Sequence, residues 1–343
     1  MKSLSLISTQ MQLINCIEYL VTHKIEENEV VFWALSKTRK TQLLDVFNIP
    51  CNRQLFKGYR FFTFNGGNIH DILVSVWMLF KMWIWALTKK VDVFILGNYK
   101  TCYGRFFWYK QPNAKRTVVD DGLGTPIWYE IRANRGFKGI SEMFYDNKII
   151  RSLLKRKEDA MVPESVRFFS IYTDIKNPND SVEFNSYSYL KANIGQYPES
   201  DAFKSCDFVF LGQPFHTRGY VSHQKYNEYL KKTYSYIGEK QAIYYPHPEE
   251  TDNSWMDDVV KTKYQFIPNK MIFEVFALAM KPKSVIASFQ TSSQPILLKL
   301  CPDIKQLAVY LEEADGQHTP FFEEIKEAYK YLENLGIPVI HLS

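Results

Sequence analysis

Four short stretches hold side chains whose types and placement can do chemistry. Asp120-Asp121-Gly122 sets two adjacent carboxylates after the apolar run Arg116–Val119. Neighbouring carboxylates repel, so one can hold a raised pKa and serve as a general base. The plainer alternative is a capping turn, since Asp-Gly is ordinary turn chemistry and glycine permits a backbone that an L-residue resists. Tyr244-Tyr245-Pro246-His247-Pro248 closes the run Gln241–Tyr245 with a histidine between two prolines. Proline locks φ and cannot donate to a ladder, so it ends strands. His247 then stands beyond the carboxyl end of a strand, where open α/β sheets bind ligands; the alternative is a surface histidine in a stiff turn.

The other two stretches also follow apolar runs. In Phe210-Leu211-Gly212-Gln213-Pro214, Gly212 lets backbone approach a ligand closely, and Gln213 can both donate and accept. Alone, this is more often a turn than a site. Thr291, Ser292 and Ser293 precede a predicted helix, and hydroxyls with free backbone N–H groups there form an anion site. One such hydroxyl is ordinary N-cap chemistry; three exceed what a cap needs. Glu274 lies in a helix whose start points the same way and is placed to bind a ribose. His216, shortly after Gln213, is a candidate to support this constellation, whereas His23, His223 and His341 read as ordinary surface or core residues.

Other chemistries lack their residues. The sequence has no Gly-x-Ser-x-Gly, no Walker lysine loop, no Gly-x-Gly-x-x-Gly and no Asp-x-Asp pair. Five scattered cysteines (Cys16, Cys51, Cys102, Cys206, Cys301) show no metal spacing, and their odd number fits free thiols in a reducing compartment. The apolar stretch after Lys2 breaks at Ser8-Thr9-Gln10, so no secretory signal is visible and the expected location is cytoplasmic.

The elements that must position these residues alternate. Strands are predicted at Leu4–Ser8, Glu29–Leu35, Arg60–Phe64, Val91–Leu96 and Arg116–Val119, with helices at Gln10–His23, Lys37–Phe47 and from Thr101 to about Lys110. Ile72–Leu87 is a strongly apolar helix, short of the roughly 20 residues a membrane span needs. It is assigned to packing on the sheet; Trp77, Trp83 and Trp85 beside Lys81, Lys89 and Lys90 would also suit a membrane surface. The basic and polar stretch 148–164 marks a domain boundary. Beyond it strands are predicted at Val166–Ile171, Phe208–Leu211, Ala242–Tyr245, Tyr264–Ile267, Ser284–Ser288, Gln306–Tyr310 and Val339–Leu342. Helices are predicted at Ser222–Tyr236, Lys270–Met280, Ser292–Leu300 and Phe321–Leu335. Strands alternating with helices specify parallel sheets, so the expectation is two Rossmann-like domains, 1–158 and 165–343, facing across a cleft.

At 343 residues, with 46% hydrophobic and 16% aromatic residues, the chain has material for two cores. Its net charge of +5 is unevenly spread. Residues 1–160 carry 24 Lys and Arg against 14 Asp and Glu, a net of +10, and the rest carries −5. A basic half suits an anionic partner such as nucleic acid, anionic lipid or an acidic glycan.

In this order, Asp120-Asp121-Gly122, His247-Pro248 and Thr291-Ser292 resemble the motifs of the bacterial sialyltransferases, nearest to the lipooligosaccharide sialyltransferases and the bacterial polysialyltransferases. Thr9-Gln10-Met11-Gln12-Leu13 resembles the family's opening strand-to-helix turn, departing at Gln10 from its usual Ser-Pro-Leu-Gln. Gly97-Asn98-Tyr99-Lys100 and Gly212-Gln213-Pro214 also have counterparts. The resemblance implies a GT-B fold and an inverting, metal-independent transfer of sialic acid from CMP–sialic acid, with no cofactor. It implies Asp121 as general base supported by Asp120, and His247, followed by Pro248, at the CMP phosphate. It places Thr291 and Ser292 on that phosphate, with Ser292-Ser293 as the alternative register, and Gly212 and Gln213 in the donor pocket. The implied partners are a nucleotide-sugar donor, a surface glycan or glycolipid acceptor and a peripheral anionic membrane, with no nucleic acid. Two rival readings are a GT-B enzyme using another nucleotide sugar and a non-catalytic glycan-binding protein of the same shape.

Overall fold

A computed structural model describes residues 1–34, 37–63, 88–98, 110–122, 165–175, 177–238, 240–315 and 321–342, with isolated positions between 77 and 129. The chain forms two compact units, Met1–Asn193 and Ile194–Ser343.

The first unit is built on one parallel sheet of seven strands: β1 (Lys2–Ile7), β2 (Glu27–Ala34), β3 (Gly58–Thr63), β4 (Val93–Leu96), β5 (Lys115–Val119), β6 (Arg167–Ser170) and β7 (Ser181–Phe184). Their spatial order is β3-β2-β1-β4-β5-β6-β7. Strands such as β4, Val-Phe-Ile-Leu with every residue buried, are apolar throughout because helices cover both faces of a parallel sheet. The described helices here are α1 (Gln10–Thr22), α2 (Lys37–Phe47), α3 (Pro50–Arg53) and α4 (Ser188–Asn193).

Helix α1 is buried from Gln10 to Leu20, and its interior polar residues each have a distant partner. Gln10 Nε2 donates to the Gln42 carbonyl at 2.6 Å, and Asn15 Nδ2 to the Asp120 carbonyl at 3.1 Å. The Glu18 carboxylate accepts the backbone N–H groups of Tyr189 at 3.2 Å and Leu190 at 2.6 Å. Burial makes such pairing obligatory, because an unpartnered polar group there is costly.

The second unit repeats the plan with six parallel strands: β8 (Phe208–Leu211), β9 (Ala242–Tyr245), β10 (Tyr264–Phe266), β11 (Val285–Ser288), β12 (Lys305–Val309) and β13 (Val339–Ile340). Their order is β10-β9-β8-β11-β12-β13. Its described helices are α5 (Ser200–Ser205), α6 (His223–Ile237), α7 (Asp258–Lys263), α8 (Phe273–Ala277), α9 (Ser293–Leu300) and α10 (Phe321–Asn334). Ser222 caps α6 by accepting the Lys225 N–H, and Gly238 ends it at φ 95°. An aromatic core surrounds Phe289, with Phe210, Phe215, Tyr226 and Tyr229 at ring distances of 5.1–5.6 Å.

The expected division of the chain at 158–165 moves. The strand assigned to the opening of the second domain is β6, and it pairs in parallel with β5 of the first sheet. β7 extends that sheet, and Glu18 of α1 fastens the start of α4, so the first unit runs on to Asn193. The helix expected over 270–280 is shorter, covering Phe273–Ala277. The helices expected over 72–87 and 101–110, and the basic boundary stretch 148–164, lie wholly or mostly outside the described residues.

Candidate active site

Both sheets have the Rossmann strand order, in which the connections reverse direction beside the first strand. The switch point, where such sheets bind ligands, falls between β1 and β4 in the first unit and between β8 and β11 in the second. The candidate residues lie at these carboxyl ends or beside them.

In the first unit the residues after β1, β4 and β5 meet. Thr9 caps α1 by accepting the Gln12 N–H at 3.2 Å, which turns Gln12 toward the end of β5. Gln12 Nε2 then donates to Asp121 Oδ1 at 2.6 Å, and Asn98 Nδ2 donates to Oδ2 at 3.2 Å. Gln12 Oε1 is held by the Ser8 N–H and hydroxyl at 2.8 and 2.9 Å. Gly97 is required beside it, because a Cβ there would overlap the Gln12 side chain. Asp121 is partly exposed, with both carboxylate oxygens turned by amide donors.

Asp120 points the other way and is 2% exposed. Its Oδ1 accepts the Thr125 hydroxyl at 2.6 Å, and its Oδ2 accepts the Ser170 hydroxyl at 2.7 Å and the Ile171 N–H at 3.3 Å. Burial pushes its carboxyl up to about 6, against the pull of these donors. Repulsion within the acid pair is therefore not what raises a pKa here: desolvation is the cause, and it acts on Asp120. Gly122 has φ 63°, as the turn reading required.

In the second unit three adjacent strand ends carry the candidates: His247 after β9, Gly212 and Gln213 after β8, and Thr291–Ser293 after β11. His247 is half-buried. Its Nδ1 accepts the Glu249 N–H at 3.2 Å, which leaves the proton of the neutral ring on Nε2. Burial lowers its pKa below the ordinary histidine range, opposed by the Glu249 and Glu250 carboxylates, while Arg218 adds to the lowering. Pro248 is exposed beside it.

Gly212 proves to serve the protein's interior. A Cβ there would overlap the Glu250 carboxylate and the Tyr244 hydroxyl. The Gln213 N–H donates to Tyr226 Oη at 2.9 Å, and that hydroxyl donates back to the Gln213 carbonyl at 3.1 Å. The Gln213 side chain donates to the Gly212 carbonyl at 2.9 Å.

The three hydroxyls have separate surroundings. Thr291 Oγ1 accepts the Ser293 N–H at 3.3 Å, and Ser293 hydrogen-bonds the buried Glu274 carboxyl. Ser292 is exposed and does not cap α9 with its hydroxyl. Glu274, 7% exposed, is pushed up by burial and reaches Ser293 rather than open solvent.

Sequence reading placed His216 on the margin and passed over Glu250. Both are buried and paired, His216 Nε2 to Glu250 Oε1 at 2.7 Å. A glutamate three residues after a histidine carries no periodic signal, so only its burial exposes it.

Two parallel-sheet units of this strand order define a GT-B fold, shared with solved structures of that architecture. The model of the family described as alpha-2,8-polysialyltransferase (POLYST) matches residues 21–309, and the chain belongs to that family. It is thus a glycosyltransferase of the sialyltransferase class. All three motifs lie within the matched range; the Thr9–Leu13 turn lies before it. No curated protein sequence matches the chain significantly. Among solved structures, the alpha/beta-galactoside alpha-2,3-sialyltransferase of Photobacterium phosphoreum is 12% identical with a TM-score of 0.53, over 99% of this chain and 98% of that one. The UDP-GlcNAc 2-epimerase of Neisseria meningitidis is 13% identical with a TM-score of 0.51, over 96% and 86%. At such identities the likeness is one of fold.

Proposed function

We propose that the protein transfers sialic acid from CMP–sialic acid to a hydroxyl of a surface glycan by a single inverting displacement that needs no metal ion. The observation that carries this reading is Asp121, a carboxylate aimed by Gln12 and Asn98 at the switch point of the first sheet. Asp121 takes the proton of the acceptor hydroxyl as its oxygen forms the new bond to the anomeric carbon. The bond from that carbon to the CMP phosphate breaks, and its electron pair leaves on the phosphate oxygen. The centre is oxocarbenium-like in transit, so a base on the acceptor and stabilisation of the leaving phosphate are the two requirements. His247 supplies the second through Nε2–H, with Thr291 and Ser292 donating to the same phosphate. Gln213 and Pro248 line the donor pocket, and the buried Gly212 behind them leaves room for Glu250. Glu274 acts on the donor through Ser293 rather than by direct contact, and Asp120 holds the backbone that carries Asp121.

The family description favours an acceptor that already ends in sialic acid, as in a capsule polymer, over a lipooligosaccharide. A chain of sialic acids is anionic, and the net +10 of residues 1–160 complements it. Contact with an anionic membrane surface is part of the proposal, supported by the exposed Trp77 and Ile84 beside Lys81. Among the described residues no helix is long and apolar enough to cross a membrane.

Thermal unfolding with CMP, UDP and GDP in parallel, in EDTA, tests the donor, because a ligand of the folded state raises the midpoint by mass action. A shift with CMP alone supports the reading. A shift with UDP or GDP instead removes CMP–sialic acid as donor, and no shift with any of the three moves the weight to a glycan-binding protein without transfer. Transfer to an oligosialic acid and to a galactoside then separates the acceptors.

A further inference from the structure

The buried side of the His247 turn is organised by a residue that no motif marks. The Glu250 side chain is fully buried and accepts three hydrogen bonds. Its Oε1 takes the Tyr244 hydroxyl at 2.6 Å and His216 Nε2 at 2.7 Å; its Oε2 takes the His247 backbone N–H at 2.6 Å. The Glu250 N–H in turn donates to the His247 carbonyl at 2.8 Å, so the two residues close a reciprocal turn. We propose that Glu250 is the positioning residue of His247: its buried carboxylate clamps the Pro246–Pro248 turn and keeps a negative charge behind the imidazole. This rests on the reading of His247 as the group that meets the donor phosphate.

Chemistry of the partners supports the assignment. A carboxylate accepts from the Tyr244 hydroxyl and the His247 N–H at once and pairs with His216 Nε2, whereas a glutamine presents a single oxygen, so one side of the group loses its acceptor. The site has been left room, since any side chain at Gly212 would occupy the space of the carboxylate. Glu250 therefore ties together the ends of β8 and β9, the two strands that carry Gly212 and His247. It also reaches the loop after β8 through His216, whose ring lies 4.0 Å from that of Trp255 and whose buried Nδ1 has no partner.

Among the described residues, the charged groups acting on His247 are Glu249, Glu250 and Arg218. Glu249 and Arg218 are about half exposed and pair with each other, so solvent and the pair itself weaken their hold. Glu250 is buried and its charge is not screened in this way. It favours the protonated imidazole, the form that can give a proton to a leaving phosphate.

The test is a nitrogen-detected NMR titration of His247 in the ligand-free protein, beside Glu250→Gln. The expected result is a His247 midpoint lower by about half a unit or more, with loss of hydrogen-exchange protection at the His247 amide. In transfer assays the alkaline limb of the rate profile should move to lower pH by the same amount. Tyr244→Phe removes a donor to Glu250 without touching His247; it should lower the melting temperature and leave the titration in place. If Glu250→Gln does not fold, Gly212→Ala, which displaces the carboxylate, should give the same lowered midpoint. An unmoved His247 titration in the folded variant, or a rapidly exchanging His247 amide in the native protein, overturns the inference. Because these readouts need no donor, failure of CMP to protect the protein would remove the donor assignment and leave the clamp standing.

Discussion

The side-chain amide of Gln12 donates to a carboxylate oxygen of Asp121 at 2.6 Å, across 109 residues of sequence. Ser8 occupies the other end of that amide, so its orientation is set, and Asn98 holds the second oxygen. Asp121 is a carboxylate whose direction is decided by two other strand ends. Gln12→Ala should therefore lower kcat about 10²-fold with the donor KM little changed, since misplacement of a base by an ångström costs on that order. Gly97→Ala should act in the same direction by displacing Gln12. Steady-state kinetics on both variants, with CMP protection as the control for donor binding, checks this.

Asp121→Ala and His247→Ala should fold normally and lose transfer by about 10²–10⁴-fold, the range of a general acid or base. Their phenotypes should differ in binding. Asp121→Ala should keep the melting shift with CMP, and His247→Ala should lose much of it. Near-normal turnover in either variant would remove its assigned role.

Asp120 makes a stability prediction with a definite sign. Its folded pKa of about 6 lies above the ordinary aspartate value of about 3.9, so the folded state binds the proton more tightly. This group's contribution is fully present below about pH 4 and is lost as pH rises toward 6, by up to about 3 kcal/mol. Denaturant unfolding between pH 4 and 7 should show that decline in the wild type, and Asp120→Asn should lack this component.

His247 starts below the ordinary histidine range because it is half-buried. A phosphate beside it favours the charged form, so CMP should raise its pKa and binding should take up a proton. CMP affinity should fall as pH rises through the bound-state pKa. Calorimetry in buffers of different ionisation enthalpy measures the uptake directly.

Glu18 makes a prediction away from the chemistry. Its carboxylate holds the first N–H groups of α4, and Glu18→Ala would leave the buried Leu190 N–H and the half-buried Tyr189 N–H without this acceptor. The expected loss is about 1–3 kcal/mol. Hydrogen exchange should quicken first over Ser188–Asn193.

Much of the second unit was legible before folding. β8 and β9 fall where the apolar runs end in Gly-Gln-Pro and Pro-His-Pro, because a strand buried on both faces must be apolar along its length and proline must end it. β7 was not legible. Ser181–Phe184 is an edge strand with partly exposed residues, and such a strand needs no hydrophobic run. The domain boundary failed for a related reason: basic, polar composition marked 148–164 as a linker, yet β6 and β7 continue the first sheet beyond it.

Local composition thus sufficed for the alternation of strand and helix, the punctuation at each strand end and the residue types able to move a proton or hold a phosphate. Those properties are set by neighbours in the chain: periodicity, proline, glycine and a cap. Which carboxylate of the pair is aimed outward depended on Gln12 and Asn98 for Asp121, and on Thr125 and Ser170 for Asp120. Glu250 likewise became visible only when Tyr244, His216 and the His247 N–H closed around it. Burial and hydrogen-bond geometry are relations between distant segments, and no local pattern encodes them.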